Sequence, residues 1–371
     1  MNEDKEILAL TGLRFVAALY VFLFHIHIRW PLSDNLLIKN MLNQGAVGMS
    51  IFFLLSGFVL TYRYQDGSTS IRSYLLNRFA RIYPVYVAAA VVTLPWFGVA
   101  SDGSAWSDIL ASFARGAFLL LANILLIQAW FVQLFPLWNV GSSWSISVEA
   151  FCYVILPFFL PTLVKLSWRL QKLIMFACVV LAALPGLSAK LFPTTSAGVF
   201  YSMPIFRLPE FLLGCCVCLA WQSGRLKPIG NAGQFVLILL FCIYLGIAGP
   251  MLPLYVGHNW ISIPVIALVT LNVAHGKSYL AALLSTRPFV WLGKISYSFY
   301  SFQALVILML VNYHDRWVRR FSMLENNLLL AIVTFVVLLL ISALSHHLIE
   351  EPARRLIRRY RGQQPRMGLS L

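Results

Sequence analysis

Leu13-Arg14-Phe15-Val16-Ala17-Ala18-Leu19-Tyr20-Val21-Phe22-Leu23-Phe24-His25 lies inside the first long apolar run, and its reading decides the fold. Arg14 and His25 stand where hydrocarbon-facing residues belong. They are eleven residues apart, and at about 100° per residue eleven steps return a helix to within about 20° of the same face, about 16 Å further along its axis. An ionisable side chain at mid-span costs about 2.5–3.5 kcal/mol on insertion scales, so it survives by facing a wet interior or a partner. Two readings stand. Either Arg14 snorkels while His25 caps an interface, or both look into one cavity, which the shared face favours.

Outward from that stretch, 60% hydrophobic against 11% charged residues in a chain of 371, with a mean hydropathy of +0.79, is far outside globular composition. The chain reads as a polytopic membrane protein. Its net charge of +15 fits cytoplasmic loops obeying the positive-inside rule, and no basic stripe with interleaved aromatics argues for nucleic acid. Met1 to Glu6 holds three acidic residues and one lysine, and no small-residue cleavage site follows the first apolar run, so that run is expected to stay as an uncleaved span. Cys152, Cys178, Cys215, Cys216, Cys218 and Cys242 fall in or beside apolar runs without the spacing of a zinc site. They read as packing thiols, although Cys215 and Cys218 form a C-x-x-C.

A span needs about 20 apolar residues. Candidates run at about 8–28, 45–62, 82–100, 109–134, 145–164, 172–192, 204–222, 230–249, 259–275, 289–312 and 327–349. Were all eleven to cross from a cytoplasmic N-terminus, the Arg354 to Arg366 tail, Arg225 and Lys227 would lie outside, against the positive-inside bias. Removing one crossing between residues 100 and 145 places Arg63, Arg72, Arg78, Arg81, Lys165, Arg169, Arg225, Lys227, Lys277, Arg287 and the tail inside. The segment 109–134, interrupted by Arg115 and Asn123, is the one expected to be re-entrant or peripheral. The expected fold is all-α: about ten transmembrane helices, one re-entrant or peripheral helical segment, and both termini cytoplasmic. Residues 1–352 form one transmembrane domain and 353–371 a basic, headgroup-facing tail. No internal repeat is visible, which weakens a secondary-transporter reading.

Asn77-Arg78-Phe79-Ala80-Arg81-Ile82-Tyr83-Pro84 is expected to begin the third span, with Pro84 in its first turns. Arg78 and Arg81 are neighbours on one helical face. Two guanidiniums at a helix N-terminus suit a polyphosphate; from spacing alone, plain positive-inside anchoring is the favoured reading. Gly141-Ser142-Ser143-Trp144-Ser145-Ile146-Ser147-Val148-Glu149 leads into another run, where Glu149 is the lone carboxylate. By the ten-span parity it lies level with His25, so the two can pair; pairing with an arginine such as Arg207 is the alternative. Arg207 and Glu210 are spaced for an i, i+3 ion pair. Gly45, Gly48, Ser56 and Gly57 suit close helix approach, and with no P-loop lysine after them they do not read as a phosphate cradle. The remaining histidines, His27, His258, His275, His314, His346 and His347, lack metal-site spacing, so no metal is expected.

These blocks, taken with Gly45-Ala46-Val47-Gly48-Met49-Ser50-Ile51-Phe52-Phe53-Leu54-Leu55-Ser56-Gly57-Phe58, resemble the acyltransferase family 3 membrane proteins, and in the same order. Leu292-Gly293-Lys294-Ile295-Ser296-Tyr297-Ser298-Phe299-Tyr300 and Ile349-Glu350-Glu351-Pro352-Ala353-Arg354 resemble that family's last two blocks, so the likeness covers essentially the whole chain. The resemblance implies a bacterial inner-membrane O-acyltransferase moving an acyl group, usually acetyl from acetyl-CoA, to hydroxyls of cell-surface polysaccharides or lipid-linked saccharides. It carries catalytic roles onto His25, Glu149 and Arg14, and binding of the acetyl-CoA co-substrate onto Arg78 and Arg81. Expected partners are the acyl-CoA donor, the saccharide acceptor, membrane lipids and polysaccharide-assembly enzymes. The sequence departs from the family at Gln303, where members often carry His. Many members also carry an outer hydrolase-like domain; none follows here, so the membrane domain is expected to reach the acceptor itself.

On this reading acetyl-CoA enters from the cytoplasm, its phosphates on Arg78 and Arg81 and its thioester reaching past Arg14. His25, oriented by Glu149, acts as general base or transient acyl carrier. The rivals are the other large class of membrane-bound O-acyltransferases, which also uses a buried His but is not expected to carry the Arg-x-x-Arg block, and a polysaccharide or lipid transporter or flippase, which would not consume CoA. A non-catalytic scaffold explains only the basic tail.

Overall fold

The computed structural model describes residues 6–98, 106–191, 201–252 and 255–362. The described chain is helical, without strands, and eleven of its helices are long and apolar enough to cross a membrane. In order they are α1 (Leu8–His27), short α2 (Leu36–Asn43), α3 (Val47–Tyr64), α4 (Ile71–Val92), α5 (Trp106–Ile124), α6 (Val140–Lys165) and α7 (Trp168–Leu191). There follow α8 (Pro204–Gln222), α9 (Gly230–Ala248), α10 (Asn259–His275), short α11 (Tyr279–Leu284), α12 (Arg287–Arg320), α13 (Asn327–Ser345) and α14 (Glu351–Gly362). The short α2 and α11 stand outside the eleven, and the last candidate, Asn327–Ile357, runs from α13 into α14.

The bundle is held by backbones that approach where side chains are missing. A Cβ on Gly57 would lie 1.9 Å from the Phe211 carbonyl oxygen, and one on Gly214 2.0 Å from that of Leu54, so α3 and α8 touch along two reciprocal glycines. Gly48 lies against the Ala17 carbonyl and Gly45 against that of Tyr20, seating α3 on α1, and Gly293 brings α12 onto Thr11. The glycines singled out in the sequence do pack helices; Ser56, between them, faces the site. Gly57→Ala is expected to force α3 and α8 apart and cost about 1–3 kcal/mol, read as a lower melting temperature in detergent.

α1 and α12 run in the same direction, joined by Phe15, Phe22 and Phe299, whose ring centroids are 5.7 Å apart in both pairs with Phe299. At 34 residues α12 is about 51 Å long, against a hydrocarbon core of about 30 Å. Arg207 and Glu210 form the expected ion pair at 2.8 Å, fully buried.

One expectation changes, and the structure adds detail to two others. α4 begins at Ile71, where the Ser70 hydroxyl accepts from the Ser73 N–H at 3.3 Å. Arg78 and Arg81 therefore lie two to three turns inside the helix, and Pro84 sits in its interior. The N-terminal dipole does not serve the arginine pair, because the polar run from Ile71 to Asn77 is already helical. The segment 109–134 is one helix to Ile124 that runs straight through Arg115, followed by short turns over Gln128–Trp130 and Val132–Leu134. Asn123 is buried there, with Tyr86 donating to its side-chain and backbone oxygens at 2.9 and 3.0 Å. Finally, α13 widens into a π turn over His346–Glu350, and α14 carries on to Gly362 and packs, with that turn, against α4. Of the tail, residues 363–371 lie outside the described residues.

Candidate active site

The helices above bring Arg14 of α1, Ser56 of α3, Arg81 of α4, Glu149 and Tyr153 of α6, and Tyr297 and Tyr300 of α12 to one small cavity. About 40 Å³ of it admits water, room for about three molecules. Tyr153, one turn after Glu149, donates to its Oε2 at 3.0 Å, and Ser56 donates to its Oε1 at 3.4 Å. Ser145 donates to the Tyr300 hydroxyl at 2.8 Å, and Tyr300 donates to the Ser142 carbonyl at 3.2 Å. Tyr297 donates to the Ile82 carbonyl at 2.7 Å and so fixes α4 one residue from Arg81.

Arg14 and Arg81 lie within electrostatic reach of Glu149. Among the described residues neither guanidinium forms a hydrogen bond or an ion pair within 4.0 Å. Two cations face one carboxylate in a low-dielectric interior, an arrangement that attracts an anion or a developing negative charge. Arg78 stands behind Tyr153. Its guanidinium lies 5.7 Å from the Tyr64 ring centroid and 5.8 Å from that of Tyr153, and it donates to the Tyr64 hydroxyl at 3.4 Å.

His25 is elsewhere. It is on the Arg14 face of α1 but does not line the cavity, and its Nδ1 is 2.5 Å from the side-chain nitrogen of Gln303. As placed, the Gln303 amide oxygen has no partner; a half-turn of the amide lets that oxygen accept from an Nδ1–H, and the network decides such orientations. In that tautomer Nε2 keeps its lone pair.

The expected pairing of His25 with Glu149 is therefore replaced by His25 with Gln303. Glu149 is level with Arg14 and Arg81, and it does not meet Arg207, which is held by Glu210. Equal ordinal depth in two helices does not give equal height when helices differ in length and tilt. The structure brings together Arg14, Arg81 and Glu149, sets Arg78 beside them, and leaves His25 apart. The residues missed were Tyr153, Tyr297 and Tyr300 as site-lining groups. The i, i+4 spacing of Glu149 and Tyr153 and the i, i+3 spacing of the two later tyrosines were the available signals.

Comparison with known proteins agrees with this architecture. The acyltransferase domain of acyltransferase family 3 matches residues 7–347, and the chain belongs to that family. With its eleven candidate spans it is a multi-pass membrane protein of that family. It is similar to the peptidoglycan O-acetyltransferase OatA of Listeria monocytogenes, 24% identical over 95% of this chain and 56% of that one. It is also similar to the acyltransferase MdmB of Streptomyces mycarofaciens, 27% identical over 95% of this chain and 93% of that one. The chain thus spans about half the length of OatA and nearly all of MdmB. No solved structure matches.

Proposed function

We propose that this protein takes the acetyl group of acetyl-CoA at the cytoplasmic side of a bacterial inner membrane and transfers it to a hydroxyl of a cell-surface polysaccharide or lipid-linked saccharide. The observation that carries this reading is the pair Arg14 of α1 and Arg81 of α4, without a directly bonded counter-ion at the cavity, with a histidine eleven residues further along the Arg14 face of α1. Arg81, Arg14 and Arg78 are the groups for the donor's phosphates. The guanidinium fork matches phosphate oxygens, and these oxygens would meet the cations that Glu149 alone does not neutralise. The 16 Å or so between Arg14 and His25 is a distance for an extended pantetheine arm, which would carry the thioester to the imidazole.

At His25, Nε2 takes the proton of the acceptor hydroxyl as its oxygen attacks the thioester carbonyl. The ester C–O bond forms, the C–S bond breaks, and the proton passes to the departing thiolate. Gln303 holds the ring in the basic tautomer, and Glu149 keeps Arg14 and Arg81 in the site. Positioning along α1 supplies much of the rate.

Donor truncation tests this reading. Arg81→Ala is expected to raise the KM for acetyl-CoA about tenfold or more, as loss of a charge-assisted phosphate contact of about 1.5–3 kcal/mol requires. The KM for acetyl-pantetheine, which has no phosphate, stays unchanged. Equal loss with both donors would remove the phosphate role.

A further inference from the structure

Glu350 has no place in the mechanism above, yet it is buried more completely than Glu149 and is held in an unusual piece of backbone. The π turn over His346–Glu350 interrupts the run from α13 to α14, and single π turns inside α-helices recur at functional sites. The wider turn directs consecutive carboxylates differently. Glu351 is partly exposed and pairs with Arg355, whereas Glu350 is 0% exposed. Its Oε2 accepts from Ser298 at 3.2 Å and from His346 Nδ1 at 3.1 Å. Its Oε1 accepts no hydrogen bond; the nearest cation, on Arg354, is 3.7 Å away.

A buried carboxylate is costly unless something cationic faces it. The π turn and α14 pack on α4, and Arg81 is the α4 cation within electrostatic reach of Glu350. Two adjacent residues of α12 fix the geometry: Tyr297 binds the Ile82 carbonyl next to Arg81, and Ser298 binds Glu350. Tyr297 lines the cavity with Glu149 while its neighbour Ser298 binds Glu350, so α12 registers the two carboxylates against one another and against α4.

We propose that Glu350 is a positioning residue for Arg81. Glu149 on α6 and Glu350 on the π turn draw that guanidinium between them and hold it at the cavity without bonding it, leaving its N–H groups for the donor. The C-terminal turn is on this view part of the donor site. The inference rests on the donor reading given above.

The experiment is a double-mutant cycle read by CoA binding to the purified protein, using Glu350→Gln, Arg81→Ala and the pair. Glu350→Gln is expected to weaken CoA binding about tenfold, Glu350→Asp to restore most of it, and Glu350→Gln to add nothing in the Arg81→Ala background, the non-additivity of residues acting as one unit. If the two losses multiply, or Glu350→Gln lowers only the melting temperature, the inference is overturned while the donor reading stands. If wild-type protein binds no CoA, both fall. Should Glu350→Gln not yield folded protein, Ser298→Ala, which removes one anchor of the same carboxylate, is run through the same cycle with the same two outcomes.

Discussion

His25→Ala lowers acyl transfer about 10²–10⁴-fold, the usual worth of a positioned general base, and leaves CoA binding and the melting temperature near those of the native chain. The size follows from the chemistry: a thioester needs little activation, so removing the base takes away most of what the imidazole supplies. The selectivity follows from the geometry. His25 touches Gln303 and stays clear of the cavity that holds Arg14, Arg81 and Glu149, so its truncation leaves the donor cations in place. The check is steady-state transfer beside CoA affinity on the same preparation. A histidine that merely tied α1 to α12 would show the reverse, with stability falling and kcat preserved per folded molecule.

Glu210→Ala has the largest expected effect on stability, about 3–5 kcal/mol, because it strips the partner from a buried charge. Arg207 would be left 0% exposed among the rings of Phe53, Trp144 and Tyr201, 5.2 to 5.8 Å from its guanidinium carbon. The Ser50 hydroxyl at 3.2 Å would be its remaining polar contact. Asn259, which donates to Glu210 at 3.2 Å, would keep only the Ala182 carbonyl at 3.1 Å as its acceptor, loosening α8 from α10. Thermal unfolding in detergent measures this. Replacing both members of the pair by apolar residues is expected to recover much of the loss, since the penalty lies in the unpaired charge.

The two variants separate what the sequence made legible from what it did not. Run lengths of apolar residues located the spans because burial in hydrocarbon leaves no other composition, and α8 and α10 end where the runs end. The Arg207–Glu210 pair was legible because i, i+3 neighbours on a helix meet whatever the rest of the fold does. Polar helical turns beyond the hydrocarbon leave no hydropathy signal, which hid the first turns of α4 and the last turns of α12. Contacts between helices were less accessible still. The partner of Glu149 depends on the relative heights of α1, α4 and α6, and that of His25 on the crossing of α1 with α12. Gln303, noted only as a departure from a family pattern, is the side chain against the His25 ring. The π turn at Glu350 had no sequence signal in a run that reads as continuous helix.

The central claim is acyl transfer from a CoA thioester to a glycan hydroxyl, and release of free CoA from acetyl-CoA by the purified protein tests it most directly, with and without a cell-surface glycan extract. The account predicts release that depends on the glycan and matches, mole for mole, acetyl ester appearing on it. Well-folded protein that releases no CoA with any glycan extract, while still binding and moving saccharide across a vesicle membrane, would contradict it and make the chain a transporter.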